Sequence, residues 1–286
     1  MTSNTDPRKT RECSVTCHVS PVTLQPENPV PTPLDQLSIK IFADGADLPG
    51  MLELYRNPLI RGFTTNPTLM RAAGVVDYLA FARELLAAIP DRPISLEVFS
   101  DRFDEMLEQA ELLAALGENV YVKIPVTDTR GEPTTSVARQ LTRAGVKLNI
   151  TALLALDQVR DAAYALADGA PACISVFAGR VADTGRDPVP LMAAAVELLR
   201  PFPNIELIWA SPRELLNIFH ADAIGCHIIT VTHDILKKLA LVGKDLHEYS
   251  LDTVKMFRAD AVKAGYRLSS AQTPAAVATT ASAGSR

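Results

Sequence analysis

Strand-like and helix-like segments follow one another eight times along this chain, and that alternation limits the fold more than any other feature. Strand patterning falls at 37–44, 62–65, 93–99, 119–125, 146–151, 172–177, 205–210 and 226–230. Helical periodicity lies between, near 52–55, 77–88, 101–116, 135–144, 156–167, 189–199, 212–219 and 234–241, with one further helix at 251–264. Such a series predicts an α/β fold, a (β/α)8 barrel in one domain with an extra C-terminal helix. A doubly wound open sheet is the alternative, but the Gly-rich first turn of a dinucleotide fold is missing.

Parity says which way the strands face. Ser38, Lys40, Phe42 and Asp44 alternate with Leu37, Ile39, Ile41 and Ala43. Ser95, Glu97 and Phe99 alternate with Ile94, Leu96 and Val98, and Lys147, Asn149 and Thr151 with Val146, Leu148 and Ile150. In a barrel the set facing the helices must be apolar, so the polar set points inward. By the same rule Tyr121 and Lys123 of Asn119-Val120-Tyr121-Val122-Lys123-Ile124-Pro125 face the interior. The bland alternative is an edge strand with Lys123 in water. Barrel closure disfavours it, because polar groups at the C-terminal strand ends are where barrel sites lie.

Composition narrows the function classes. A net charge of -5 argues against nucleic acid and acidic membranes as partners, and no run of 18 or more apolar residues spans a membrane. No secretory signal follows the first residues, so a cytoplasmic protein is expected. Residues 1–36 and 269–286 are poor in apolar periodicity and are expected to be flexible extensions flanking a catalytic domain at 37–268. Cys13, Cys17 and His18 in the first of these make a poor metal site, and none is expected.

A lysine inside a barrel loses hydration, which favours the neutral amine, a nucleophile able to form a Schiff base with a carbonyl. Asp44, Thr65, Asn66, Glu97, Asn149, Thr151, Ser175, Arg180, Ser211 and Arg213 should converge with it. Forming and dehydrating a carbinolamine moves protons near neutral pH. Glu97 and Thr151 are candidates to hold a shuttling water, and Asp44 to take the proton when a C–C bond breaks. Either acid could instead pair with an inward Lys40 or Lys147. In Ser211-Pro212-Arg213, a hydroxyl, backbone N–H groups and a guanidinium at a helix start could cradle phosphate. Ser211 could equally cap that helix with Pro212 at its first position. Arg180 could add a second charge or pair with Asp183 or Asp187. His233 is read as a helix-start bystander and His227 as a packed strand residue. Neither a G-x-S-x-G elbow nor a Walker sequence is present.

Thr64-Thr65-Asn66-Pro67-Thr68-Leu69, Val122-Lys123-Ile124-Pro125, Asn149-Ile150-Thr151, Ser175-Val176-Phe177-Ala178-Gly179-Arg180 and Ser211-Pro212-Arg213 together resemble the transaldolase family in order and spacing. The resemblance runs from about Lys40 to Leu241. It implies a Schiff-base barrel enzyme with its lysine on strand four and no metal or organic cofactor. It gives Lys123 the Schiff base, Asp44 the acid/base work, and Glu97 and Thr151 the water. Thr65, Asn66, Asn149 and Ser175 would line the substrate, and Arg180, Ser211 and Arg213 its phosphate. Sugar phosphates are the implied substrates and a homo-oligomer the implied assembly. Fructose-6-phosphate aldolases in the same group tend to carry Gln at the Glu97 position and Tyr at the Phe177 position, and both residues here follow the transaldolase pattern. Pro212 stands where many members carry Phe, and Gly45 where Thr is common. The alternatives are such an aldolase, a pathway-specialised transaldolase, or a barrel that binds sugar phosphates without catalysis.

Overall fold

The computed structural model describes residues 32–268. The extension at 1–36 therefore lies almost wholly outside the described residues, as do the tail at 269–286 and Cys13, Cys17 and His18. The first half of the chain runs β1 (Lys40–Asp44), α1 (Leu48–Tyr55), β2 (Ile60–Thr64), α2 (Pro67–Ala72), α3 (Tyr78–Ala88), β3 (Ile94–Glu97), α4 (Phe103–Ala114), β4 (Val120–Pro125) and α5 (Thr135–Arg143). The second half runs β5 (Leu148–Leu153), α6 (Leu156–Leu166), β6 (Ala172–Val176), α7 (Ala178–Asp183), α8 (Val189–Leu199), β7 (Ile205–Trp209), α9 (Leu216–Ala223), β8 (Ile228–Thr232), α10 (His233–Leu236) and α11 (Leu246–Lys263).

All eight strands pair in parallel and in chain order, and β1 closes on β8 from Lys40↔Ile228 to Asp44↔Thr232. This is the closed barrel, not the open sheet. The main core lies between strands and helices. Ile94, Leu96, Val120, Val122, Leu148 and Ile150 face outward and are fully or almost fully buried against residues such as Leu85, Met106 and Leu141 of the helices. The inner parity builds a smaller apolar plug of Phe42, Cys173, Ile208, Ala210 and Ile228.

Two expectations need correction. The helix after β7 begins at Leu216 and not at Pro212. The Asn217 side-chain oxygen accepts from the N–H groups of Arg213 (2.8 Å) and Glu214 (3.2 Å), which holds the preceding residues as a turn. Lys40 and Lys147 stand at the N-terminal mouth, not beside the acids. Lys40 pairs with Glu206 at 2.6 Å, and Lys147 donates to the Glu118 carbonyl at 2.5 Å. A cavity of about 490 Å³ opens at that mouth, lined by Lys40, Phe42, Tyr121, Cys173 and Glu206 among others, at the end of the barrel away from the strand-end motifs.

Gly62 makes room for the plug. A Cβ there would meet the Phe42 ring at 2.5 Å, and Phe42 is buried, so the ring must shift toward the cavity that it lines. Gly62→Ala should destabilise the barrel by about 1–3 kcal/mol, and Phe42→Leu should recover part of that loss in the double variant. Urea midpoints of the four proteins test this; independent, additive effects would show that the two residues do not share the space.

Candidate active site

Lys123 sits midway along β4 with its side chain 8% exposed. Its Nζ lies 3.0 Å from Glu97 Oε2 on β3 and donates to the Thr65 carbonyl at 2.8 Å. The register explains the meeting: Glu97 is the direct partner of Lys123 on β3, and Asn149 its partner on β5. A buried ammonium needs such a counter-charge and acceptor, and here the barrel supplies both from one neighbouring pair of strand ends.

Asp44 ends β1 and accepts from the Thr64 hydroxyl at 2.7 Å. Thr64 is in turn 2.5 Å from the Thr230 hydroxyl on β8. Since the Thr64 proton goes to the carboxylate, Thr230 is the donor in that second contact. Burial pushes the Asp44 carboxyl well above the usual carboxylate range. The Lys123 charge and the Thr64 hydrogen bond pull the other way, while Glu97 adds to the rise.

Asn149 is fully buried. Its amide donates to Ser95 Oγ at 3.1 Å, and its oxygen accepts from Ser175 Oγ at 2.7 Å. Asn149 and Ser175 are thus links in a polar chain across β3, β5 and β6. Thr151 lies two residues further along β5, and its buried hydroxyl has no hydrogen-bond partner among the described residues. The next residue, Ala152, has φ 66°, and the β5–β6 register is irregular there. Asn66 uses its side-chain oxygen to cap α2, accepting from Leu69 N–H at 2.9 Å.

The Ser211-Pro212-Arg213 stretch follows β7 as a turn. Ser211 has φ 57°, a conformation a non-glycine residue adopts only when its surroundings require it. It does not cap α9. Arg213 is gripped by Asp183 of α7 through Nε at 2.9 Å and through Nη2. That bidentate pair takes the acid that was the alternative partner for Arg180, whose guanidinium lies over the Phe177 ring, 5.5 Å from its centroid. Gly179 touches the same turn: a Cβ there would fall 1.5 Å from the Ser211 carbonyl oxygen.

Sequence reasoning gave no role to Thr64, Thr230 or Tyr78, and offered Asp183 only as a partner for Arg180. Tyr78 opens α3, and its hydroxyl accepts from Glu97 N–H at 2.8 Å and donates to Glu97 C=O at 3.1 Å. Hydroxyl parity could have flagged Thr64 and Thr230, which share the inward face of their strands; a helix-start tyrosine carries no such signal. His227 is packed as expected, its Nδ1 accepting from Leu207 N–H at 3.0 Å. Among the described residues, no group of three or more His, Cys, Asp or Glu side chains is placed to hold a metal, and no helix is long and apolar enough to cross a membrane.

Because Asp44 holds its proton more tightly folded than unfolded, its contribution to stability is present in acid and is lost as pH rises through the raised folded value. Asp44→Asn should therefore be more stable than the wild type near neutrality, with the advantage vanishing in acid. Denaturant titrations at two pH values decide it; a destabilised Asn variant at neutral pH would mean that the carboxylate is held by interactions stronger than its burial penalty.

Comparison with known proteins agrees with this geometry. The model of the transaldolase/fructose-6-phosphate aldolase family matches residues 41–268. A probable transaldolase of Caldicellulosiruptor saccharolyticus is 35% identical over 203 residues, covering 70% of this chain and 89% of that one. A probable transaldolase of a Thermoanaerobacter species is 30% identical over 231 residues, covering 80% of this chain and all of the other. A third, from a Chelativorans species, is 32% identical over 221 residues, covering 76% and 97%. With a buried lysine, two acids and a barrel matched along nearly its whole length, this chain belongs to the transaldolase/fructose-6-phosphate aldolase family.

Proposed function

We propose that this enzyme is a transaldolase that moves a dihydroxyacetone unit between sugar phosphates through a Schiff base on Lys123. Sedoheptulose 7-phosphate and fructose 6-phosphate serve as donors, and glyceraldehyde 3-phosphate and erythrose 4-phosphate as acceptors. The observation that carries the reading is one buried amine, 3.0 Å from a carboxylate, with a second, protonation-prone carboxyl group close enough for its charge to be felt.

Glu97 takes the proton that Lys123 must shed before its nitrogen attacks the donor ketone. The carbinolamine then loses its hydroxyl as water, the proton returning through a water held between Glu97 and Thr151. Support comes from the Thr151 hydroxyl, which is buried with its donor and acceptor capacity unspent. The iminium next draws electrons from the bond between the α and β carbons of the sugar, whose pair becomes the enamine double bond. Asp44 removes the proton from the hydroxyl on the departing carbon, the aldose leaves, and an enamine stays on Lys123. An acceptor aldehyde reverses these steps, with Asp44 returning the proton. An acid whose proton affinity is raised by burial suits both halves. Asn66, Asn149 and Ser175 meet the sugar hydroxyls, and Thr65 holds the amine through its carbonyl.

Arg180, Arg213 and Ser211 take the phosphate. Asp183 leaves part of the Arg213 guanidinium unused, so a phosphate joins an arginine already oriented. Phe177, under Arg180, brings no hydroxyl to protonate the enamine. That favours transfer over release of free dihydroxyacetone.

We propose a cytoplasmic homo-oligomer. Supporting the assembly, α11 buries no side chain among the described residues, and Leu246, Leu251, Val254 and Phe257 are each more than half exposed on it.

Borohydride reduction in the presence of fructose 6-phosphate should add a dihydroxyacetone-sized mass to Lys123. Lys123→Met should abolish adduct and turnover, and Glu97→Gln should lower kcat by about 10²–10⁴-fold. Ligand binding without any adduct would sink the mechanism in favour of a non-catalytic barrel. In sedimentation velocity, the wild type should run as an oligomer and Phe257→Asp as a smaller folded species; a wild-type monomer at micromolar concentration would end that part of the reading.

A further inference from the structure

The seam between β2 and β3 breaks at the site, and the break has a definite cause. In a regular parallel ladder each residue facing the neighbour bonds to two residues that flank its partner. Thr65 N–H follows that rule and donates to the Ser95 carbonyl at 3.2 Å. The next rung would run from Glu97 N–H to the Thr65 carbonyl, and the one after from residue 67 to the Glu97 carbonyl. Neither forms. The Thr65 carbonyl has turned to Lys123 Nζ, 2.8 Å away. Residue 67 is a proline and has no N–H to give.

Both Glu97 backbone groups are met by one side chain. The Tyr78 hydroxyl accepts from Glu97 N–H at 2.8 Å and donates to Glu97 C=O at 3.1 Å. The ring is wedged edge-on against Phe99, with centroids 4.5 Å apart and planes at 79°. Burial keeps the phenol in its neutral form, raising its proton affinity well above the usual range. Without the hydroxyl, the part-buried Glu97 N–H would have to find another acceptor, and the ladder offers the Thr65 carbonyl that Lys123 now uses.

We infer that Tyr78 is a positioning residue for the Schiff-base reaction: it takes the rung that Thr65 would otherwise complete, leaving that carbonyl to the Lys123 amine and fixing the strand end that aims the Glu97 carboxylate. Tyr78 acts through these two residues and not on the substrate. The inference rests on the Schiff-base reading above.

Tyr78→Phe removes the hydroxyl and keeps the ring. Its kcat should fall about ten- to a hundredfold with KM changed by less than about twofold, and the rate of borohydride trapping on Lys123 should fall in proportion. Phe99→Leu loosens the same ring packing but leaves the hydroxyl, so its kcat should stay within about twofold of wild type. Equal loss in the two variants would reduce Tyr78 to packing and overturn its positioning role. Should Tyr78→Phe not fold, 2,3,5-trifluorotyrosine at position 78 keeps the shape and makes the phenol more acidic. The charged group that faces the phenol is Glu97 on β3, while Arg71 on α2 lines the cavity beside it. The fluorinated enzyme should lose kcat at alkaline pH where the wild type does not, because a phenolate cannot donate to the Glu97 carbonyl. An unchanged profile would overturn the proposal. If the wild type traps an adduct and Tyr78→Phe traps it equally fast, the Tyr78 role fails alone; if the wild type traps none, the Schiff-base reading fails with it.

Discussion

An ammonium cannot sit in the middle of a protein without partners, and the C-terminal half of this barrel is arranged around that requirement. Lys123 is held by the Glu97 carboxylate and the Thr65 carbonyl, one from each of two adjacent strands. Meeting the requirement has side effects that reach outward. The Thr65 carbonyl leaves its ladder and so leaves the Glu97 N–H unmatched, Pro67 leaves the Glu97 carbonyl unmatched beside it, and a residue from a neighbouring helix comes in to match both. The reactive centre is thus not added to a finished scaffold; the scaffold has given up regular pairing to create it.

The same logic separates the two acids. Glu97 touches the amine directly and shares its charge. Asp44 is set two strands further from it along the sheet, bonded to the Thr64 hydroxyl that Thr230 backs, where burial outweighs the pull of the lysine. Two carboxyl groups that each end a strand therefore face different surroundings, which suits the division of labour proposed for them, one acting on the amine and the other on the hydroxyl proton of the departing carbon.

Much of this was readable beforehand, and the reasons are physical. Period-two patterning on β1, β3 and β5 told inside from outside because outward residues must be apolar under the helices, and this placed Asp44, Glu97, Lys123 and Asn149 correctly. Eight alternating units implied closure. What stayed hidden depends on partners distant in the chain. Lys40 and Lys147 share the inward parity, yet a strand has two ends, and parity does not say which mouth a side chain occupies. The start of α9 shifted because Asn217 reaches back to two N–H groups, a choice propensity does not encode. Tyr78 looked like the first residue of an amphipathic helix, and Asp183 like a surface acid; each matters only through a residue far from it in sequence.

The contact between Gly179 and the Ser211 carbonyl leaves no space even for a methyl group. The segments after β6 and β7 are therefore locked together, with Arg180 on one, Arg213 on the other, and Asp183 tying them. Reshaping this rim for a longer or branched sugar cannot proceed by shifting a single loop, since either one drags the other along. On the proposed function, variation in chain length of the aldehyde should instead be absorbed around α1, α2 and α10, where the cavity beside Asp44 is bounded by separate helices. One side of the mouth is a fixed ruler; the other is where evolution, or an engineer, has room to move.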